Sequence, residues 1–496
     1  MTNIQIGGIV LLSCTCVFIW SWLSNQKKSY FLSVVLLLLG GIILRCFVSS
    51  DNYLHKWDER YHALVAKNLI EEPFKPMLYK QAVLPYDHKD WNRNHVWLHK
   101  QPVPLWTMAI GLKIFGISPF ALRIPTILLS TIAILLTYLI GYHLYGRRVA
   151  WLAAFLHAIH GLIIELTGGR VATDHIDVFF MFFIELAVYF AIISVRKDKN
   201  WLLWILIGIS TGFAILSKWL PALIVFPIWL SLNLHRKKLS LQFFVPLLIS
   251  FFIVIVISAP WQIYIFQTFP SEANWESSYN MMHFNQVLSG RSGSFFYHFD
   301  KIRIIYGELI YLPILWLIYY TIKKRSFKLL ALGLWIFIPI LFFSLAKTKM
   351  QGYTLFIAPA IFVVSAVFWE YLSILKKRTR FLWLTNLILA LLLILPIRYS
   401  FERVKLFNSN EKTPHWTLKL ETMAEQVTES NAVIFNVDSP IEAMFYGNFT
   451  AYSSIPKKRK LINLQTKGYD IYILKSENLD VSSYKSIQGI TILDLQ

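Results

Sequence analysis

Acidic residues are scarce in this chain. Its 496 residues include 28 Asp and Glu against 48 Lys and Arg, and charged residues of both signs make up only 15%. A soluble domain normally carries about 25% charged residues, so this shortage argues against a water-filled surroundings on every face. Cysteine is also rare. Cys14, Cys16 and Cys46 all fall inside apolar runs, form no CxxC or disulfide framework, and say little about redox compartment. No ATP-binding glycine-rich loop is visible, and no repeat of 20–50 residues. No face interleaves basic and aromatic residues, which excludes nucleic acid as the expected partner. The first apolar run, Ile4 to Leu23, lacks a basic leader and a small-residue cleavage site. It reads as a retained helix, not a signal peptide.

What the chain has instead is apolar length: 56% hydrophobic residues and a mean hydropathy of +0.51. The basic residues are parcelled into six short breaks. These hold Lys27/Lys28, Arg147/Arg148, Arg196/Lys197/Lys199, Arg236/Lys237/Lys238, Lys323/Lys324/Arg325/Lys328 and Lys376/Lys377/Arg378/Arg380. The eighteen basic residues share these breaks with one acid, Asp198, and so supply +17 of the formal net charge of +20. This is the positive-inside pattern of a polytopic membrane protein, with anionic lipid headgroups as the partner of the basic loops. Runs near the roughly 20 residues needed to span predict twelve helices, at 4–23, 30–49, 120–142, 150–167, 178–195, 201–217, 219–234, 241–259, 304–322, 328–346, 354–374 and 381–398. With the basic breaks inside, both termini lie outside. The expected fold is thus an α-helical polytopic membrane domain over 1–398, followed by a small extracytoplasmic α/β domain over 399–496.

Five pieces fall on the outer side: 50–119, 168–177, 260–303, 347–353 and the tail. In the first, Tyr61 to Ile70 and Leu105 to Ile117 read as amphipathic helices lying on the membrane surface, with Trp106 and Phe115 as interfacial anchors. In the tail, Thr413 is expected to cap a helix begun by Pro414, with Trp416, Leu420, Met423 and Val427 on one face. Val433-Ile434-Phe435, Ile471–Leu474 and Ile490–Leu493 read as strands, and Asp438-Ser439-Pro440 as a helix start that Gly447 ends.

The outer pieces carry the candidate chemistry. Asp58 and Glu59 are adjacent carboxylates just past a helix end, suited to a general base if partial burial raises a pKa toward neutrality. A solvated acid pair is the plainer alternative. Lys100, above the Pro-bent entry Pro102-Val103-Pro104, suits a phosphate on a lipid carrier, or is a snorkelling lysine. His99 and the distant His283 are two side chains able to share a divalent metal. Asp174 and Asp177 sit where a helix re-enters the membrane, where ionisable groups are costly and usually have work, or they cap that helix. Lys218, Lys347 and Lys349 are cations on the outer face against the positive-inside bias, and Tyr353 follows them. Binding an anionic phosphate would account for them.

Taken in order along roughly 350 residues, these motifs resemble the polytopic membrane glycosyltransferases of the GT-C type. The likeness is to the branch holding the aminoarabinose–lipid A transferases and relatives of the protein O-mannosyltransferases. Asp58-Glu59 with Ala63–Leu69 looks like the family's acidic opening. Lys100-Gln101-Pro102 through Trp106 looks like its Lys-Pro-Pro…Trp stretch, and Arg170 through Asp174 to Phe180 like its second acidic loop. Ser217-Lys218, Pro260-Trp261 and Lys347–Tyr353–Pro359 complete the order.

The resemblance implies a sugar moved from a polyprenyl-phosphate donor on the outer face of the bacterial inner membrane, with inversion, to a lipid A, glycan or protein acceptor. It implies no nucleotide cofactor. Carried over, Asp58 activates or orients the acceptor, with Glu59 and Asp174 beside it. Lys100 and Tyr353 hold the carrier phosphate, assisted by Lys218, Lys349 or Arg60. Relatives place a metal between an acid before the motif lysine and a later His. Here those positions are His99 and His283, a change of one unit of charge. Arg60 stands one residue out of the family register, and Gln286 replaces an Arg for which Arg291 is the nearest substitute. The alternative readings are a transporter or lipid-glycan flippase, for which Glu165, Glu185 and His157 within spans are the best residues, and an envelope scaffold. Transporters usually show inverted repeats and broken helices around a midplane site, whereas this chain keeps its charged clusters in outer loops.

Overall fold

The computed structural model describes residues 3–197, 200–234, 241–376, 381–408, 412–476, 479–480, 484 and 487–495, without the side chains of 241 and 242. Asp198, Lys199, Arg236, Lys237, Lys238, Lys377, Arg378 and Arg380 of the basic breaks lie outside the described residues. The helices run α1 Asn3–Gln26, α2 Tyr30–Ser49, α3 Glu59–Leu69, α4 Pro102–Phe115, α5 Pro119–Tyr145, α6 Arg147–Ala158, α7 Gly161–Thr167, α8 Asp174–Arg196, α9 Trp201–Lys218, α10 Val225–Leu234 and α11 Leu241–Thr268. They continue as α12 Pro270–Asn285, α13 Tyr297–Tyr306, α14 Tyr311–Lys324, α15 Phe327–Leu345, α16 Ala358–Leu375 and α17 Leu382–Val404. The tail adds α18 His415–Gln426, α19 Pro440–Tyr446 and α20 Lys458–Thr466, with strands β1 Ala432–Phe435, β2 Thr450–Tyr452, β3 Asp470–Leu474 and β4 Ile490–Leu493.

Among the described residues nine helices are long and apolar enough to cross a membrane, or eleven if two bent pairs each count as one span. Every one of the twelve expected segments is helical, but three are not straight spans. α6 and α7 meet at 50°, where His160 Nδ1 accepts from the Ile163 amide and starts a new helix. α13 turns by 119° into the segment Glu308–Lys324. Gly307 makes that corner at φ +101°, a backbone conformation that glycine adopts without steric cost. The expected span 219–234 is a 3-10 turn, Leu220–Ile224, followed by the short α10. The main apolar cluster of the bundle includes Phe180, Trp229, Trp335 and Phe356.

Contacts of the described basic residues tie several of these breaks to neighbouring helix ends. The Arg147 guanidinium lies 3.8 Å from the Tyr30 ring centroid. Arg148 pairs with Glu370 at 3.1 Å, beside the 376–380 break. Arg196 reaches His143, and Lys328 the Leu144 carbonyl at 3.5 Å. The loops bearing Asp58, Lys100, Asp174, Lys218 and Tyr353 lie at the other ends of these same helices.

The tail is a four-stranded, all-parallel sheet in the order β2-β1-β3-β4, with Val433 opposite both Thr450 and Ile471. Its strands were legible except for β2. The expected cap on α18 is different: Pro414 holds the cap position and no side chain bonds there. α3 also departs from expectation. It does not lie open on a membrane surface, since nine of its eleven residues are buried. One apolar cluster joins Leu64, Leu69, Leu105 and Met108 to Leu420, Met423 and Phe445 of the tail. The Lys67 ammonium binds the carbonyls that end α19: Met444 at 2.8 Å, Phe445 at 3.0 Å and Gly447 at 2.5 Å. A cation there meets the negative end of the helix dipole. Of the two anchors expected on α4, Phe115 is exposed together with Ile110 and Ile114, whereas Trp106 is half-buried against Phe74 and Trp261.

Candidate functional site

Asp58 sits at the N-cap position of α3, where its carbonyl accepts from the Tyr61 and His62 amides, both at 3.1 Å. Lys100 comes from the segment that enters α4. Gln101 is extended, and Pro102 and Pro104 open the helix, where missing amide protons cost nothing. This brings the Lys100 ammonium to 3.2 Å from the Asp58 carboxylate. Lys218 ends α9, where a cation is favoured, and Asp177 lies in the first turn of α8, where an acid is favoured. The Lys218 ammonium donates to Asp177, as does the Thr173 hydroxyl. The Tyr353 ring centroid lies 5.0 Å from the Lys218 ammonium. Gly352, just before it, sits so close that a Cβ would run into the Asp177 carboxylate and the Thr173 hydroxyl.

These groups act on one another. The charge of Lys100 is strengthened: burial opposes it, but Asp58, then Asp174 and Asp177, outweigh the burial and raise its pKa. Asp58 goes the opposite way from the sequence expectation. Burial pushes its carboxyl up, yet Lys100, then His62 and His99, together hold it well below the usual carboxylate range. The expectation of a carboxylate raised toward neutrality is therefore corrected: the partner lysine wins over desolvation.

A second network lies directly beneath. Glu59 and Arg123 are both fully buried and paired fork to fork, with Arg123 Nε 2.7 Å from Oε1 and Nη2 3.0 Å from Oε2. The Glu59 carboxylate also meets His55 at 2.7 Å and His175 at 3.2 Å. Arg123 donates as well to the carbonyls of Ser49 at 3.0 Å, Asp51 and Tyr53 at 2.6 Å, and so holds the loop that leads to Asp58. Arg170 Nε donates to the Asp51 carboxylate at 2.9 Å, with Lys412 at 3.2 Å on the other oxygen. The two networks interlock between α3 and α8. His175 reaches back to Glu59, and His62 reaches forward to Asp174 at 3.0 Å. Thr173 and Asp174 turn the chain there at φ +65° and +24°, conformations that cost non-glycine residues energy and cluster at functional sites.

The structure thus brings Asp58, Lys100, Asp174, Lys218 and Tyr353 together. Glu59 is one residue away but its oxygens are engaged by Arg123, His55 and His175. Arg60 points to the tail, 3.3 Å from Glu442 and 3.0 Å from the Tyr61 hydroxyl. The Lys349 ammonium binds the Phe343 and Ser344 carbonyls at the end of α15, at 3.1 and 2.5 Å. Lys349 also lines a cavity of about 300 Å³ with Arg291, Gly352 and Arg403. Backbone bonds zip the loop before Arg291 to that before Tyr353, at 3.0 Å from the Thr348 amide to the His283 carbonyl and 2.9 Å from the Lys349 amide to the Arg291 carbonyl.

His99, expected to share a metal with His283, has an acid partner. His99 Nδ1 lies 3.2 Å from Glu276, two helical turns before His283 on α12. His283 Nδ1 is 3.0 Å from the Tyr279 carbonyl. Burial, and after it the charges of His99, Lys100 and Arg291, lower the His283 pKa against that carbonyl bond. Among the described residues no three His, Cys, Asp or Glu side chains stand together to hold a metal ion. The residues present do not fit a metal held by three protein ligands, and no chemical step below is routed through one. Sequence reasoning missed Glu276, His62 and Arg123. The spacing of Glu276 and His283 on one helix face was the available signal.

Known proteins resemble this chain in the same region. The family described as dolichyl-phosphate-mannose-protein mannosyltransferase matches residues 99–264, from His99 past the Pro260-Trp261 pair. An uncharacterised protein of Aquifex aeolicus is 24% identical over 378 residues, 74% of this chain and 70% of that protein. The undecaprenyl phosphate-alpha-4-amino-4-deoxy-L-arabinose arabinosyl transferase 2 of Pseudomonas fluorescens is 25% identical over 289 residues, 52% of this chain. The match covers 47% of that enzyme, so the chain spans about half the length of the curated arabinosyl transferases it matches. Among solved structures, ArnT from Cupriavidus metallidurans bound to undecaprenyl phosphate superimposes with a TM-score of 0.63 at 15% identity, covering 88% of each chain. The chain is a polytopic helical membrane protein with the fold of ArnT, and in sequence it is similar to the aminoarabinose transferases and to the mannosyltransferase family.

Proposed function

We propose that the chain transfers a sugar, with inversion, from a polyprenyl-phosphate carrier to an envelope acceptor at the outer face of a bacterial inner membrane. The bond from the anomeric carbon to the carrier phosphate breaks with its electron pair on the phosphate oxygen. The acceptor oxygen forms the new bond from the opposite face, and its proton passes to the Asp58 carboxylate. Lys100, Lys218 and the Tyr353 hydroxyl face the charge that develops on the phosphate, where fixed cations in a dry site stabilise it most. Arg291 and Lys349 extend that positive wall along the neighbouring cavity. Asp174 and Glu59 act as positioning residues, the first through His62 and the second through Arg123. Holding carrier and acceptor together at the membrane boundary removes much of the entropic barrier. The carrier bond supplies the driving force, so no nucleotide is required.

The observation that carries this reading is the Asp58–Lys100 contact at 3.2 Å, both side chains about one-fifth exposed, at the end of the bundle away from the basic breaks. Asp58→Asn in proteoliposomes should lower transfer from an undecaprenyl-phosphate sugar about 10²–10⁴-fold while the thermal melt stays unchanged. Undiminished transfer removes Asp58 from catalysis. Mass spectrometry of envelope lipids, glycans and proteins with and without the chain decides among lipid A, glycan and protein as acceptor.

A further inference from the structure

Two cavities flank the Asp58 cluster, and they differ in chemistry. One is the cationic cavity beside Gly352. The other, of about 480 Å³, lies between the first outer loop and the tail and is lined by Tyr53, Lys56, Trp57, Arg170 and Trp416, among others. It falls within the about 300–1,000 Å³ typical of small-ligand sites. Two of its lining residues stand beside the cluster in sequence. Trp57 precedes Asp58, and Arg170 lies four residues before Asp174.

Three aromatic planes face this space. Trp57 is 56% exposed, a large apolar surface left uncovered beside the reacting groups. Tyr53 and Trp416 meet with ring centroids 5.9 Å apart at 70°, so their planes form a corner. Trp416 is held in place because α18 buries Leu420 and Met423 in the core it shares with α3. Arg170 is fixed by Asp51 and by the Val404 carbonyl, 3.0 Å from Nη1. Among the described residues Lys56 enters no ion pair, and it stands at the rim.

A pyranose ring has the complementary surface. Its axial C–H faces carry slight positive charge and sit against the negative faces of aromatic rings, while its hydroxyls accept from fixed cations. A peptide adding as a strand would need a sheet edge, and none of the described residues lining this cavity is in a strand; the peptide array below tests the other peptide modes. Resting on the reading that transfer occurs at Asp58, we propose that this cavity is the saccharide subsite of the acceptor, with Tyr53, Trp57 and the tail's Trp416 as its stacking surface. The tail is then part of acceptor selection, and the acceptor presents a sugar hydroxyl to Asp58.

The test uses the full chain in nanodiscs on a printed array of bacterial envelope saccharides, beside an array of Ser-, Thr- and Asn-containing peptides. Saccharide binding by the parent chain is expected, with an at least fivefold loss in both Trp57→Ala and Trp416→Ala. Trp416→Phe should retain most of the binding, which separates stacking from folding. Undecaprenyl phosphate binding should be unchanged in all three variants, whereas Lys100→Ala should lose the carrier and keep the saccharide. Binding of peptides in place of saccharides, no saccharide binding, or saccharide binding indifferent to both tryptophans overturns the subsite. Carrier binding indifferent to Lys100→Ala overturns the donor reading instead and leaves the subsite result standing.

Discussion

At the scale of single residues, Lys100 has two claims on it. In the free protein it holds Asp58 ionised, and in the proposed reaction it faces the carrier phosphate. A phosphate that draws Lys100 away, and adds negative charge of its own, raises the pKa of Asp58 and makes it a better base. The sign follows from the cause of the depression: removing the cation leaves burial, which favours the protonated carboxyl. The acid limb of kcat/KM for the donor, which reports the free protein, should therefore lie at lower pH than the acid limb of kcat, which reports the loaded one. Lys100→Met should move the kcat/KM limb upward. Superimposable limbs across pH 4–9 would separate Asp58 from Lys100 and end this coupling. Asp58 and Lys100 were both legible in the sequence as residue types in suitable loops. Their effect on each other was not, because a contact across forty-two positions leaves no local trace. The same holds for His99, whose carboxylate partner Glu276 restores the acid–imidazole pairing with the two residue types exchanged between the segments.

At the scale of elements, the loop 49–58 is held by Arg123 and Glu59 rather than by its own sequence. Removing one partner of a buried ion pair strands the other charge and costs about 3–5 kcal/mol. Arg123→Ala should therefore lower the thermal midpoint in detergent sharply, and activity should fall with it. A melt within a degree or two of the parent would show that Glu59 is satisfied without Arg123. The acid side of the stability curve has the same origin. Asp51 and Glu59 are both held below their ordinary values of 3.8 and 4.5, against burial, by His55, Arg170 and Arg123. Their contribution is complete above about pH 4.5 and is lost as pH falls toward the folded values. Gly352→Ala tests the facing wall: its methyl group displaces Asp177 from Lys218, so transfer should drop at least tenfold and the thermal midpoint should fall as well. Equal activity would show that the contact is slack. Apolar run length placed a helix in each of the twelve expected spans, but missed α12 and most of α13 within the expected loop 260–303, and it missed the bends, since these hang on Gly307 and on the His160 cap. It also placed α3 on a membrane surface, because an amphipathic face looks the same whether it meets lipid or a docked domain. β2 and α20 escaped notice. The first is three residues long, and the second opens on Lys457–Lys460, a poor helix start by charge.

At the scale of the whole molecule, the reading depends on which side of the membrane the cluster faces. The charge pattern gives an expected side from sequence, because insertion responds to Lys and Arg in short loops, independently of how the helices later pack. The structure adds that Arg147, Arg148, Arg196 and Lys328 contact neighbouring helix ends, so one of these loops on the wrong side would carry its neighbours with it. Single cysteines make this testable once Cys14, Cys16 and Cys46 are replaced. Ser271, at the start of α12, and Asp438, in the tail, are both exposed, as is Lys324 in a basic break. Ser271→Cys and Asp438→Cys should react with an impermeant maleimide in right-side-out spheroplasts. Lys324→Cys should react only after permeabilisation. The two outer positions must agree, because the tail shares a buried core with α3 and α4 and cannot be on one side while the first loop is on the other. Labelling of Lys324→Cys in intact cells, with the other two protected, would put Asp58 and Lys100 in the cytoplasm and leave no outward site for the carrier's sugar to reach.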